Sequence, residues 1–84
     1  VIIGENVTSI GDCAFDSCSS LTSITIGKSV TSIGQYAFLI CRSLTSISFD
    51  GTQAEWKAIK KDNYWRDGVP SICKVICTDG TISI

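Results

Sequence analysis

Two consecutive stretches near the start of the chain decide its fold. Residues 3–25 read IGENVTSIGDCAFDSCSSLTSIT, and residues 26–48 read IGKSVTSIGQYAFLICRSLTSIS. Fifteen of the twenty-three positions are identical, and the alignment needs no gap. The shared positions are mainly apolar and the variable ones mainly polar, as in stacked copies that share a core and differ where they meet water. The sequence therefore predicts two repeats that lie on one another.

The apolar pattern continues for a few residues on either side of these copies. Val1 and Ile3 fall one period before Ile24 and Ile26, so we expect the chain to begin within a strand whose repeat lacks its earlier half. After Asp50 the pattern ends, because polar residues take the positions that apolar ones hold in the copies.

Each repeat is predicted to contain two extended pieces and one short helical turn. The main strand spans residues 21–26, with its copy at 44–49. The other extended piece spans 7–10 (copy 30–33), and the helical turn spans 12–18 (copy 35–41). Alternation along the main strand directs Ile24 and Ile26 inward. The outward positions are Ser23, Thr25, Ser46, Ser48 and Asp50.

The repeat follows a definite frame: Leu21-x-x-Ile24-x-Ile26, then Val30-x-x-Ile33-Gly34-x-x-Ala37-Phe38-x-x-Cys41. This frame resembles the 23-residue leucine-rich repeat of BspA-like bacterial surface proteins, although many repeats of that family have Pro where Gly4 and Gly27 stand. The resemblance implies an α/β leucine-rich repeat solenoid, a right-handed superhelix of short strands and short helical turns. It also implies an extracellular or bacterial cell-surface location and adhesion to host extracellular matrix or plasma proteins.

Residues 51–84 are predicted to form a C-terminal cap on the repeats of residues 1–50. Thr52-Gln53-Ala54-Glu55 is a capping box, which predicts the start of a helix that ends at Asp62-Asn63. This helix is expected to carry its apolar and basic residues on opposite faces. The apolar face has Trp56 and Ile59, and the basic face has Lys57, Lys60 and Lys61.

A hairpin is predicted after the helix, because Asp79-Gly80 lies between two alternating runs. A two-residue turn there places Cys77 opposite Ile82 and Val75 opposite Ile84. Helix and hairpin together would cover the open end of the repeat array. The segment also resembles the one that closes arrays in BspA-like proteins, at Gly51-Thr52-x-x-Glu55-Trp56 and Cys77-Thr78-Asp79-Gly80.

Composition argues against several classes of function. The 84 residues carry a net charge of −1, which gives no basic field for nucleic acid. Histidine is absent, so imidazole catalysis and His-bearing zinc sites are excluded, and we expect neither an enzyme nor a cofactor. No apolar stretch is long enough to insert into a membrane.

The five cysteines are an odd number, so at least one thiol is unpaired within the chain. Cys18 and Cys41 share one repeat position and are expected to be buried free thiols, whereas Cys13 is expected to be exposed. Cys73 and Cys77 lie too far apart along a strand to share one zinc ion or one disulfide, so no metal site is predicted.

The remaining candidates are surfaces. The hydroxyl-rich outward face described above is either a protein-binding surface or only a solubilising one. Trp56, Tyr64 and Trp65 form either the small core of the cap or a stacking platform for carbohydrate. A further interpretation is that the chain only terminates a longer array. The apolar edge at Val1 to Ile3 predicts weak self-association.

Overall fold

The computed structural model describes all 84 residues. Its regular structure consists of eight short strands and one helix, connected by turns. In chain order these elements are β1 (Ile2–Ile3), β2 (Ser9–Ile10), β3 (Ser23–Ile26), β4 (Ser32–Ile33), β5 (Ser46–Phe49), α1 (Gln53–Ala58), β6 (Lys60–Lys61), β7 (Lys74–Cys77) and β8 (Gly80–Ser83).

The strands form two sheets whose register repeats the sequence period. The large sheet has the order β1-β3-β5-β7-β8, and the small sheet has the order β2-β4-β6. All neighbours are parallel except β7 and β8, which are antiparallel. Ile24 lies opposite Ile47 and Ile10 lies opposite Ile33, each pair separated by one repeat period. The two copies therefore stack position on position.

The stacked copies share one hydrophobic core with the C-terminal segment. This core contains seventeen buried side chains. The rings of Phe15 and Phe38 stack with centroids 5.3 Å apart and planes within 6°. Such column packing follows from the period, since equivalent side chains of adjacent repeats meet face to face.

The prediction of a helical turn in each repeat is wrong. Residues 12–18 and 35–41 form successive turns, with Cys13, Ser17 and their counterparts in left-handed conformations (φ 57–60°). A left-handed residue every few positions is incompatible with a right-handed helix. The amides instead donate to the next repeat, as Phe15 N–H does to the carbonyl of Ala37 at 2.7 Å.

The helix of the C-terminal segment starts as predicted and ends earlier than predicted. Thr52 and Glu55 form the capping box, with Glu55 N–H donating to Thr52 Oγ1 at 3.2 Å and Thr52 N–H donating to Glu55 Oε1 at 2.9 Å. Placing Lys60 and Lys61 on the helix is wrong, because both lie in β6. Lys60 N–H donates to the carbonyl of Thr31 at 3.0 Å, so pairing with the preceding repeat replaces a further helical turn.

The repeat register resumes after the helix at a longer spacing. Lys60 lies opposite Ser32, and Lys74 lies opposite Ser46. In both pairs the two residues are separated along the chain by five positions more than the repeat period. The backbone of residues 60–76 therefore forms a third layer, although sequence identity with the copies ends at Asp50. The five positions added to the period are accommodated where α1 forms.

The predicted register of the terminal hairpin is also wrong. Thr78 and Asp79 form the turn, so that Cys77 lies opposite Gly80 and Val75 lies opposite Ile82. Two features fix this register. Gly80 has a φ of 140°, which side chains rarely allow, and Asp79 Oδ1 accepts a hydrogen bond of 2.9 Å from Gln53 N–H at the start of α1.

Candidate binding surface on the large sheet

The outward face of the large sheet is built by alternation along β3 and β5. In both strands the isoleucine and the residue two positions later are buried, while the intervening side chains point away from the core. Ser23 and Thr25 are exposed, and Ser46 and Ser48 are half-buried. The predicted orientation of these four side chains follows from the period of a strand.

Parallel pairing brings the four hydroxyl residues into one array. Ser23 lies opposite Ser46, and Thr25 lies opposite Ser48. Asp50 is exposed and follows β5 directly, at the margin of the array. Four of the five residues predicted for this surface are thus adjacent on one face, and Asp50 follows directly after β5.

The same face contains residues that sequence reasoning missed. Ile2 lies opposite Thr25 on one side, and on the other side Lys74 and Ile76 lie opposite Ser46 and Ser48. Ile2 could have been found, because it stands one period before Thr25. Lys74 and Ile76 could not have been found, because the residues after Asp50 are not similar in sequence to the repeats and their spacing from the repeats is longer.

The hydroxyls of the array are not used by the fold. Those of Thr31 and Thr45, outside the array, donate to the carbonyls of Thr8 and Thr22 in the preceding repeat, at 3.2 and 3.3 Å. The four hydroxyls of the array make no hydrogen bond to another protein atom. At one end of the face Lys74 Nζ donates to Ser83 Oγ at 3.1 Å. The array can therefore both donate and accept hydrogen bonds toward a partner.

The three aromatic residues of the alternative platform are separated by the fold. Trp56 is buried and makes edge contacts with Phe49 and Trp65, at centroid distances of 5.4 and 6.0 Å. Trp65 is half-buried in the same cluster. Tyr64 is 60% exposed and stacks on Tyr36 instead, at 5.6 Å. Trp56 has no face available for a sugar ring.

A lysine lies beside this aromatic cluster, in line with two core isoleucines. Lys61 lies opposite Ile33, which lies opposite Ile10, and its Nζ donates to the carbonyls of Trp56 and Ile59 at 2.7 and 3.2 Å. The Nζ atom also lies 4.7 Å from the centroid of the Trp56 ring. Burial lowers the pKa of Lys61. A cation thus binds the Trp56 carbonyl in the last turn of α1 and the carbonyl of the C-cap residue Ile59.

The cysteines are all free thiols and differ in burial. Cys13 is exposed, Cys18 is half-buried, and the other three are buried. Burial raises the pKa of Cys41, Cys73 and Cys77, which suppresses the reactive thiolate. Cys41 Sγ donates to the carbonyl of Phe15 at 3.0 Å. No three Cys, Asp or Glu side chains come together in a group that could hold a metal ion.

No helix of the structure has the length and the apolar content needed to cross a membrane. No curated protein and no solved structure matches the chain significantly. The family model described as the BspA type leucine rich repeat region (6 copies) matches residues 1–65, more than three quarters of the sequence. This match includes the region of β6, beyond the two near-identical copies. The chain belongs to the BspA-type leucine-rich repeat family.

Proposed function

We propose that this chain is a non-catalytic protein-binding module of an adhesive protein, located outside the cell or on a bacterial cell surface. Membership of a repeat family that is typically surface-associated supports the location. The observation that carries the binding role is the array of four unbonded hydroxyls on the large sheet, Ser23, Thr25, Ser46 and Ser48. Its side chains are free to contact a partner because the core does not need them.

The partner class follows from the resemblance and from the chemistry of the face. We propose a host extracellular matrix or plasma protein, and no nucleic acid, because the chain has no basic field. The face combines hydroxyls with the exposed side chains of Ile2 and Ile76, a mixture typical of the surfaces through which proteins bind proteins.

A double substitution tests the binding role. Thr25→Glu with Ser48→Glu places two charges on the array and should abolish binding to immobilised plasma and matrix proteins. Ser9→Glu with Ser32→Glu is the matched control, since these serines form the same kind of parallel pair on the small sheet. Circular dichroism should show that both variants remain folded. Equal binding by the two folded variants would place the binding surface elsewhere.

We further propose that the layers form a right-handed solenoid which residues 51–84 close. Parallel strands joined by a crossover are right-handed in nearly all proteins. Two features of the C-terminal segment support closure: β8 adds an antiparallel strand at the edge of the large sheet, and β6 presents the exposed Lys60 at the edge of the small one. Charged residues on an edge strand disfavour further strand addition, and the antiparallel direction of β8 interrupts the parallel order of the layers.

The opposite end of the array is proposed to support weak self-association. Val1 and Ile2 are exposed at the free edge of β1, with Val7 nearby. We expect sedimentation equilibrium at high protein concentration to show a mass above that of one chain, and Ile2→Lys to remove the excess. Ile72→Lys is the control, because Ile72 is also an exposed isoleucine (68%) but is not in β1. A strictly monomeric wild-type protein would refute this proposal.

A further inference from the structure

The turns of adjacent layers are joined by a ladder of backbone hydrogen bonds that has a direction. Amides of one layer donate to carbonyls of the next. Phe38 N–H donates to the carbonyl of Trp65 at 2.8 Å, and Ile40 N–H donates to that of Asp67 at 2.7 Å. Phe15 N–H donates in the same sense within the two copies, to the carbonyl of Ala37.

The third layer ends with β7 and is followed by the antiparallel strand β8, and no carbonyl of residues 70–84 accepts a hydrogen bond from the turn of this layer. Arg66 and Gly68 occupy the positions of Phe38 and Ile40, displaced by the same enlarged offset as the strands. Their N–H groups donate to no protein atom. Two backbone N–H donors thus remain unpaired at the end of the ladder, at the positions where Phe38 and Ile40 of the preceding layer donate to two separate carbonyl oxygens.

Arg66 and Gly68 both line a surface concavity formed by residues 64–69. The ring of Tyr64 is part of its lining and is held on one side by the parallel ring of Tyr36, with planes within 8°. Asp67 lines the same concavity beside Arg66, whose guanidinium makes no hydrogen bond or ion pair within the protein. An aromatic ring, two unpaired backbone N–H groups, one guanidinium and one carboxylate therefore belong to residues that line one concavity.

We propose that the concavity of residues 64–69 binds an acidic saccharide. The apolar face of a pyranose ring stacks on Tyr64, which its contact with Tyr36 already orders. The carboxylate or sulfate group of the sugar accepts hydrogen bonds from the amides of Arg66 and Gly68 and from the Arg66 guanidinium. A sugar hydroxyl donates to Asp67. A fully ionised anion such as sulfate has no donor for Asp67, whereas an acidic saccharide offers hydroxyl donors beside its charged group.

Gly68 also shows that the backbone here cannot be changed freely. Its φ is +86°, and a side chain would place Cβ 2.9 Å from the Cα of Ile40. The test therefore leaves Gly68 unchanged and alters the exposed side chains. This proposal does not depend on the binding role of the large sheet, because the two surfaces share no residue.

The experiment is a titration of the full chain, labelled with nitrogen-15, with a trisaccharide of galacturonate. We expect the Arg66 and Gly68 amide signals to shift most. Arg66→Gln and Tyr64→Asn should each raise the dissociation constant at least about tenfold. Asn replaces Tyr64 because Asn tolerates the left-handed conformation of that residue (φ 58°). Lys57→Gln is the control: it removes an exposed cation outside the concavity and should leave the dissociation constant unchanged.

Three further probes decide what is recognised. A sulfated trisaccharide should bind through the same amides, whereas a neutral galactose trisaccharide should bind at least about tenfold more weakly. Equal affinity for neutral and acidic sugars would overturn the proposal, as would shifts that bypass Arg66 and Gly68. Tighter binding of a glutamate hexapeptide than of the galacturonate trisaccharide would also overturn it, and would identify the concavity as a peptide site.

Discussion

The first and second repeats have nearly the same sequence and very different surroundings. Val7 is 39% exposed, whereas its counterpart Val30 is 2% exposed. Phe15, Cys18 and Leu21 are only partly buried and pack against the edge of the core, whereas their counterparts Phe38, Cys41 and Leu44 are completely buried. The second repeat has a layer on both sides and the first has one side open. Burial in this fold is therefore decided by the neighbouring layers and not by the residues of a repeat alone.

The largest expected difference between the repeats concerns their phenylalanines. Phe38→Ala should cost about 3–5 kcal/mol of unfolding free energy, since it leaves a cavity in a closed site. That is comparable to the whole stability of a domain this small. Phe15→Ala should cost less by at least about 1 kcal/mol, because the open side can rearrange or hydrate. Urea unfolding followed by circular dichroism measures both, and equal losses would contradict the comparison.

Glycines at one repeat position should also respond differently. A Cβ on Gly34 would lie 2.5 Å from the backbone nitrogen of Asp12 in the first repeat, whereas a Cβ on Gly11 would meet nothing within 4 Å. Gly34→Ala should therefore destabilise the protein by about 1–3 kcal/mol through overpacking. Gly11→Ala should leave the urea midpoint nearly unchanged. The same midpoint for both variants would mean that the layers can separate without cost.

The two cysteines at equivalent positions should differ in reactivity. Burial raises the pKa of Cys41, and its Sγ donates to a backbone carbonyl, whereas Cys18 is half-buried. A small disulfide reagent applied to the folded protein should modify Cys13 first and Cys18 next. Cys41 should react at least about tenfold more slowly than Cys18. Peptide mapping by mass spectrometry at several times gives the rates, and similar rates for Cys18 and Cys41 would be evidence against a closed second repeat.

The smallest expected effect is on the pH dependence of the unfolding free energy, and it arises from Lys61 in the third layer. Because burial lowers the pKa of Lys61, the folded protein binds fewer protons than the unfolded chain between that lowered value and 10.5. Stability should therefore rise with pH through this window, relative to a Lys61→Met variant. Both proteins keep the buried cysteines, whose raised pKa values act in the opposite direction, so the difference isolates the lysine. Urea unfolding at several alkaline pH values measures this difference in stability. If the unfolding free energies of the two proteins changed equally with pH, a lowered pKa of Lys61 would be excluded.

Much of the fold could be predicted because one short pattern is written twice. The period fixes the pairing of β3 with β5, and alternation within each strand fixes which side of Ser23 or Thr25 faces outward. The stacking of Phe15 on Phe38 follows from the same period.

What could not be predicted depends on contacts between layers. Tyr36 and Ile40 adopt left-handed conformations that their residue types do not favour, since the ladder between repeats outweighs local preference. The end of α1 is likewise set by pairing with β4, which a helical pattern in residues 52–61 conceals. The concavity of residues 64–69 is only partly visible in the sequence for the same reason. Tyr64 and Trp65 stand out as aromatic, but the unpaired amides beside them exist only because the ladder ends there.

The five additional positions between β5 and β6 show where this scaffold tolerates growth. The helix α1 occupies that connection, and the pairing of β6 with β4 on one side and of β7 with β5 on the other is undisturbed. The added residues therefore change only this connection and leave the strand register of the following layer intact. We accordingly expect this connection to tolerate added residues better than a position inside a strand does.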